Sequence, residues 1–210
     1  MTRRGRDFIL RHGETVFNAA ARLQGDHVHT PLTAAGFRQA LDMGQALAAG
    51  RGHAGPLTAW SSPAGRALQT LALVCPPLGL DWHATRIDPR LVEIGMGHWG
   101  GRRYADVVAE VGPIVDPSTG LLRPAPDGES YADVAERLAG WLTATADDDG
   151  DRLVVMHGIS SRVLRGIMTD APRPGGYAVP VAAGLPQGSI VMIAQGVETV
   201  LHRGTGQGAV

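Results

Sequence analysis

The chain of 210 residues contains no lysine; all 19 of its basic residues are arginine. This excludes a Walker-type phosphate loop, whose lysine contacts the nucleotide phosphates, and it excludes Schiff-base chemistry. Any anion the protein holds must be met by guanidinium, imidazole and backbone N–H groups. Cysteine is nearly absent as well. Cys75 stands alone, so neither an intrachain disulfide nor a cysteine metal cluster can form, and Pro76 and Pro77 place it at a helix end in a structural role. No apolar stretch approaches the roughly 18 residues of a membrane span. Arg3, Arg4 and Arg6 look like the start of a signal peptide, but the apolar run Phe8-Ile9-Leu10 is too short to follow it as one. The net charge of -1 and pI near 6.7 give no basic surface for nucleic acid or acidic membrane. A cytoplasmic protein with no nucleic-acid or membrane partner is expected.

At 44% hydrophobic content the chain is long enough for one good core, and a single domain over 1–210 is expected. Short apolar runs stop abruptly at reactive side chains. Phe8-Ile9-Leu10 meets Arg11-His12-Gly13-Glu14-Thr15; Leu57-Thr58-Ala59-Trp60 meets Ser61-Ser62-Pro63 and then Arg66; Leu153-Val154-Val155-Met156 meets His157-Gly158. A less regular segment, 82–87, runs towards Glu93. Each reads as a buried strand handing over to a loop, and in open α/β sheets ligands bind outside the carboxyl ends of such strands. Arg11, His12, Arg66, Glu93 and His157 therefore converge in one crevice, and together they suit a phosphate.

Between these segments the pattern predicts a short helix over 15–21 and a polar loop over 22–31. Thr33 caps a helix to about Ala48, with Phe37, Ala40, Leu41, Gly44 and Leu47 on its buried face. Pro63 suits the first turn of the next helix, placing Arg66 one turn inside. Residues 95–128 hold seven glycines and four prolines, the character of a lid or specificity insertion. Ser130, with Asp133 as a capping-box partner, opens a helix to about Thr145 with Val134, Leu138, Trp141 and Leu142 inward. Residues 147–151 read as a charged surface turn, 159–169 as a helix, 171–186 as a possible pocket rim, 189–194 and 197–202 as a hairpin, and 204–210 as a frayed tail. No internal repeat is present.

In order along the chain, Arg11-His12-Gly13-Glu14-Thr15, Asn18, Arg22-Leu23-Gln24-Gly25, Pro31-Leu32-Thr33 with Gly36, Ser61-Ser62-Pro63 with Arg66-Ala67 and Gln69-Thr70, the Leu91–Trp99 segment, Gly128-Glu129-Ser130 and His157-Gly158 resemble the signatures of the histidine phosphatase, or phosphoglycerate mutase-like, superfamily. The resemblance implies a three-layer α/β/α sandwich with a mostly parallel central sheet. It implies a metal-independent phosphomonoesterase without a cofactor, acting on a small phosphorylated substrate. His12 would be the nucleophile that becomes phosphohistidine and Glu93 the general acid and base. Arg11 and Arg66 would hold the phosphoryl group, His157 would add a further donor if protonated, and Asn18, Gln24, Gly25 and Gly158 would contact substrate. Gly100 and Gln187 depart from the family's common glutamate and asparagine.

Other readings stand beside these. An isolated histidine after a strand is commonly structural, which a second such histidine with matched arginines argues against. Glu14, Glu110 and Glu129 compete with Glu93, although Glu129 at a helix start suits the dipole. The Asp26-His27-Val28-His29 run lacks the geometry of a metal site, and the 22–31 loop that carries it is expected to form a pocket rim; His53, His83, His98 and His202 are assigned no role. Arg102 and Arg103 could meet a second acidic group. A bisphosphoglycerate-primed phosphoglycerate mutase, a non-catalytic phospho-ligand binder and a phosphohistidine-protein phosphatase are the alternatives. Oligomeric state is not legible.

Overall fold

The computed structural model describes residues 3–52 and 55–206; His53 and the end of the predicted tail lie outside them. Six strands form one mixed sheet in the order β3-β2-β4-β1-β5-β6. These are β1 (Asp7–Arg11), β2 (Leu57–Ser61), β3 (Arg86–Ile87), β4 (Asp151–Met156), β5 (Ile190–Ala194) and β6 (Val197–His202). The first four run parallel, and β5 turns antiparallel against β1. Period-two alternation sorts the strand side chains between two cores. Phe8, Leu10, Leu153 and Val155 face α2 (Ala34–Gly50) and α3 (Gly65–Val74); Ile9, Trp60, Val154 and Met156 face α5 (Tyr131–Ala144) and α6 (Gly158–Thr169). The expected α/β architecture, with helices on both faces, is therefore present. Two shorter helices, α1 (Val16–Ala19) and α4 (Tyr104–Val111), lie in the connections.

This topology creates the crevice. β1 leads into α2 on one face, whereas β4, its neighbour, leads into α6 on the other, so the connections diverge above the β1 and β4 ends. His12 extends the ladder one step by donating its N–H to Met156 O at 3.0 Å. His12 and His157 thus leave adjacent strand ends. At the opposite end, Asp7 and Arg152 are register partners and form an ion pair at 2.5 Å, both buried. Arg152 also bonds Thr145 and lies 4.6 Å from the Trp141 ring. A one-residue slip would break this pair and turn each strand's apolar set to the wrong face.

Several local expectations need correction. On α2 the buried stripe is Gly36, Gln39, Ala40, Met43, Gly44 and Leu47, while Phe37 and Leu41 are exposed. Gln39 is drawn inward because its Oε1 accepts the Glu14 N–H at 2.8 Å. α3 starts after Pro63: Ser62 Oγ accepts the Ala64 N–H, Ala64 is extended, and Arg66 becomes the second helical residue. Of the 82–87 segment only Arg86–Ile87 is strand, because Asp81 caps a 3-10 turn at Trp82–Ala84. Asp151 is no surface turn residue; it opens β4, buried and paired with Arg6 at 2.7 Å. The Ser130/Asp133 capping box and the closing hairpin, turning at Gln195-Gly196 with positive φ, form as expected.

Removing one partner of a buried ion pair strands the other charge. Asp7→Ala is expected to destabilise the fold by about 3–5 kcal/mol, read as a lowered denaturant midpoint. A change under about 1 kcal/mol would show that the pair does not hold the β1–β4 register.

Candidate active site

The crevice is a cavity of about 560 Å³. Arg11, His12, Glu93, Gly158, Asn18, Gln24 and Gly25 all line it, whereas Arg66 and His157 lie behind it, fully buried. The two imidazole centroids are 5.2 Å apart.

His12 Nδ1 lies 2.7 Å from Gly13 O. A carbonyl only accepts, so Nδ1 carries the proton and Nε2 keeps its lone pair. Burial, then Arg66 and Arg11, hold the His12 pKa well below 6.5. The sharp turn that brings Gly13 O back to its neighbour's ring depends on close backbone crossing. A Cβ on Gly13 would sit 2.4 Å from Gly36 O, and the Gly13 N–H is held by Thr70 Oγ1 at 3.1 Å.

His157 is the opposite tautomer. Arg66 Nε donates to its Nδ1 at 3.1 Å, so its proton is on Nε2, shared with Ser62 Oγ at 2.7 Å. Burial first, and Arg66 next, keep its pKa well below 6.5. His157, which would donate to a phosphoryl group if protonated, is in this structure a neutral ring fixed from both sides. Arg66 is likewise committed. Four of its five N–H groups go to His157, Thr30 Oγ1, His27 O and Gly25 O, so it does not present a free fork to the cavity. Burial lowers its pKa to about 10.

Arg11 is the guanidinium left open. It bonds Leu185 O at 2.6 Å and packs over Gly158, where a Cβ would be 3.3 Å from its guanidinium carbon, and its buried Nε has no partner among the described residues. Burial lowers its pKa to about 10 as well, against the raising effect of Glu93.

Glu93 accepts three backbone N–H groups: Ile94 and Ser160 at Oε1, and Ile159 at Oε2, at 3.0, 2.8 and 3.0 Å. Two of these open α6, whose N-terminal dipole favours a carboxylate there. Oε2, with a single N–H, has the free lone pair. Glu129 serves structure: it pairs with Arg137 at 2.6 Å and accepts the Gly95 N–H, tying the Glu93 segment to α5. Asn18 and Gln24 accept from Thr15 through their amide oxygens, so their NH2 groups are the available donors. Gly25 holds φ +52, and a Cβ would meet Met96 Cγ at 2.6 Å.

Of the 22–31 loop, Arg22, Leu23, Gln24 and Gly25 line the cavity, as expected of a rim, whereas the Asp26–His29 run does not. It backs onto Arg66 through His27 O, its Val28 O accepts the Gly65 N–H, and the His27 ring lies 5.7 Å from Phe17. A Cβ on Gly100 would stand 2.9 Å from His27 Nε2, so His27 fills the space a side chain at 100 would need. The cavity roof comes from Met96, Tyr104 and Leu122, within the 95–128 segment. Arg102 is paired with Glu110, and neither it nor Arg103 lines the cavity. The 171–186 loop lends carbonyls: Leu185 to Arg11 and Ala182 to Arg162. Sequence reading assigned no role to Arg162 or Gln187, both of which line the cavity. Arg162 could have been found from its place one helical turn after Gly158.

Two imidazoles at the ends of adjacent strands of an α/β sheet, with Arg11 from β1 and Arg66 from α3 beside them, form a set suited to an anion. The model of the histidine phosphatase superfamily (branch 1) matches residues 8–197, and the chain belongs to that superfamily. It is 36% identical over 162 residues to a Cronobacter sakazakii protein named "Probable phosphoglycerate mutase GpmB", covering 73% of this chain and 69% of that one. Among solved structures it is similar to the alpha-ribazole phosphatase of Shigella flexneri, with TM-score 0.70, 23% identity and coverage of 93% and 94%, a likeness of fold. It is also similar to a mycobacterial glucosyl-3-phosphoglycerate phosphatase in complex with VO3, with TM-score 0.71, 25% identity and coverage of 93% and 97%. Among the described residues, no helix is long and apolar enough to cross a membrane.

Both histidines have depressed folded pKa values, so above about pH 6.5 they add no pH dependence to stability. Below it the unfolded chain binds protons that the folded chain refuses, and stability falls as pH falls. Each ring contributes a slope approaching about 1.4 kcal/mol per pH unit. Melting between pH 7 and 5 should therefore drop less steeply in His157→Asn than in the wild type; equal slopes would contradict the neutral, buried assignment.

Proposed function

We propose that this protein is a metal-independent phosphomonoesterase that hydrolyses a small phosphorylated metabolite through a phosphohistidine on His12. The observation that carries this reading is the Nδ1–H bond to Gly13 O, which leaves the Nε2 lone pair free on a ring that lines the same cavity as Glu93 and Arg11. Nε2 attacks phosphorus as the ester oxygen leaves opposite it. When the phosphate dianion enters beside Glu93, like-charge repulsion opposes the preference of the α6 N-terminus for a carboxylate, so that Glu93 takes a proton at Oε2 and gives it to the leaving oxygen. Water then loses a proton to Glu93 and attacks the phosphohistidine, releasing phosphate and restoring His12. Arg11 stabilises the equatorial oxygens, with the NH2 groups of Asn18 and Gln24 beside it. Arg66 and His157 act from behind, fixing each other beside His12.

A phosphoglycerate mutase is the second reading, favoured by the name of the relatives at 36% identity. Against it, no arginine from residues 95–128 lines the cavity. The substrates in the names of the related phosphatases belong to those proteins; here they guide the choice of test compounds.

Wild type incubated with 3-phosphoglycerate, with and without bisphosphoglycerate, should release phosphate rather than accumulate 2-phosphoglycerate; accumulation of 2-phosphoglycerate would favour the mutase. Equal phosphate release by wild type and His12→Ala over a broad phosphoester panel would favour a binding module. Glu93→Gln should lower kcat/KM about 10²- to 10⁴-fold for alkyl phosphates, and much less for 4-nitrophenyl phosphate, whose leaving group needs no proton. An equal loss on both would remove Glu93 from the acid role.

A further inference from the structure

The cavity is more cationic than one phosphoryl group requires. Three guanidiniums, Arg11, Arg22 and Arg162, line it against the single carboxylate of Glu93, in a chain whose net charge is -1. Arg11 belongs with His12. Arg22 is exposed and spends a donor on Gly101 O at 2.6 Å.

Arg162 is different. It is partly buried, and burial is the main cause lowering its pKa. Its Nε donates to Ala182 O at 3.0 Å, which fixes the plane of the guanidinium, while its two terminal nitrogens make no hydrogen bond among the described residues. A guanidinium anchored at one edge, open at the other and facing a cavity has the geometry for a carboxylate or phosphate fork. Its position on α6 sets the distance. Gly158, Ile159 and Arg162 share a helix face, and helical side chains lean towards the N-terminus, here towards the Glu93 and Arg11 end. One turn separates Gly158 from Arg162, about 6 Å along the axis. Met96, Leu122 and Ile159 line the same cavity with apolar surface that suits a short carbon spacer.

We infer that Arg162 is a specificity-determining residue that binds a carboxylate carried on the substrate a few bonds from the transferred phosphoryl group. The inference rests on the phosphomonoesterase reading and narrows its substrate class to small phosphorylated acids. The role considered for Arg102 and Arg103 from the sequence thus falls to a residue on another element.

The test uses matched pairs that differ by the carboxylate: O-phosphoserine against O-phosphoethanolamine, and 3-phosphoglycerate against glycerol 3-phosphate. Wild type should prefer the acid of each pair in kcat/KM, and in Arg162→Gln that preference ratio should fall about 10- to 100-fold, the range a charge-assisted hydrogen bond commands. Arg162→Lys, which keeps the charge but not the fork, should retain part of the ratio. An unchanged ratio, or an equal loss on both members of a pair, overturns the inference. Calorimetric binding of the same pairs to His12→Ala and to His12→Ala/Arg162→Gln reads the ratio without turnover. If wild type hydrolyses none of the four, the hydrolase reading fails, and the binding ratio alone then decides for or against Arg162.

Discussion

The parallel pairing of β1 with β4 is the constraint on which the site depends. Asp7 against Arg152 sets its register at one end, and at the other the chain leaves the sheet at His12 and His157. No loop has to reach across the molecule to bring the two rings within 5.2 Å. The connections from these strands diverge to opposite faces, and the space between them becomes the cavity. Glu93 joins the group because α6, starting at the β4 end, offers its first free N–H groups to the carboxylate.

Electrostatically the site is arranged in two layers. Behind the cavity, Arg66 is fully buried, and carbonyls from the 25–27 turn together with the His157 ring meet its desolvation cost. In front, Arg11 keeps an unpartnered buried Nε, and His12 keeps a lone pair. Burial first, and then the charges of Arg66 behind and Arg11 in front, hold His12 neutral. On the proposed mechanism, an incoming phosphate dianion would meet oriented donors that need no rearrangement.

Much of this was legible in the sequence because it is local. Apolar runs ending at Arg11-His12-Gly13 and at His157-Gly158 announce buried strands with reactive ends, and the Ser130/Asp133 pair announces a helix start. What escaped was set by other parts of the chain. Periodicity alone could not choose Met43 over Phe37 on α2, since Gln39 is pulled inward by the Glu14 N–H. Nothing near Arg66 reveals that carbonyls of residues 25 and 27 will occupy it, or that His157 will be its acceptor and so neutral. Asp151 sits in an acidic run that reads as solvent-facing until Arg6 comes beside it. Arg162 looks like an ordinary helix arginine until the 171–186 loop supplies Ala182 O and leaves the rest of the guanidinium open to the cavity.

The central claim is covalent chemistry at one nitrogen. Rapid quenching of the enzyme with a phosphoester labelled on phosphorus, followed by peptide mapping under alkaline conditions, tests it most directly. The account predicts an acid-labile, base-stable label on the peptide containing His12, formed and lost at rates that match turnover and absent from His12→Ala. Turnover with no label on that peptide, or a label on any other residue, would contradict it.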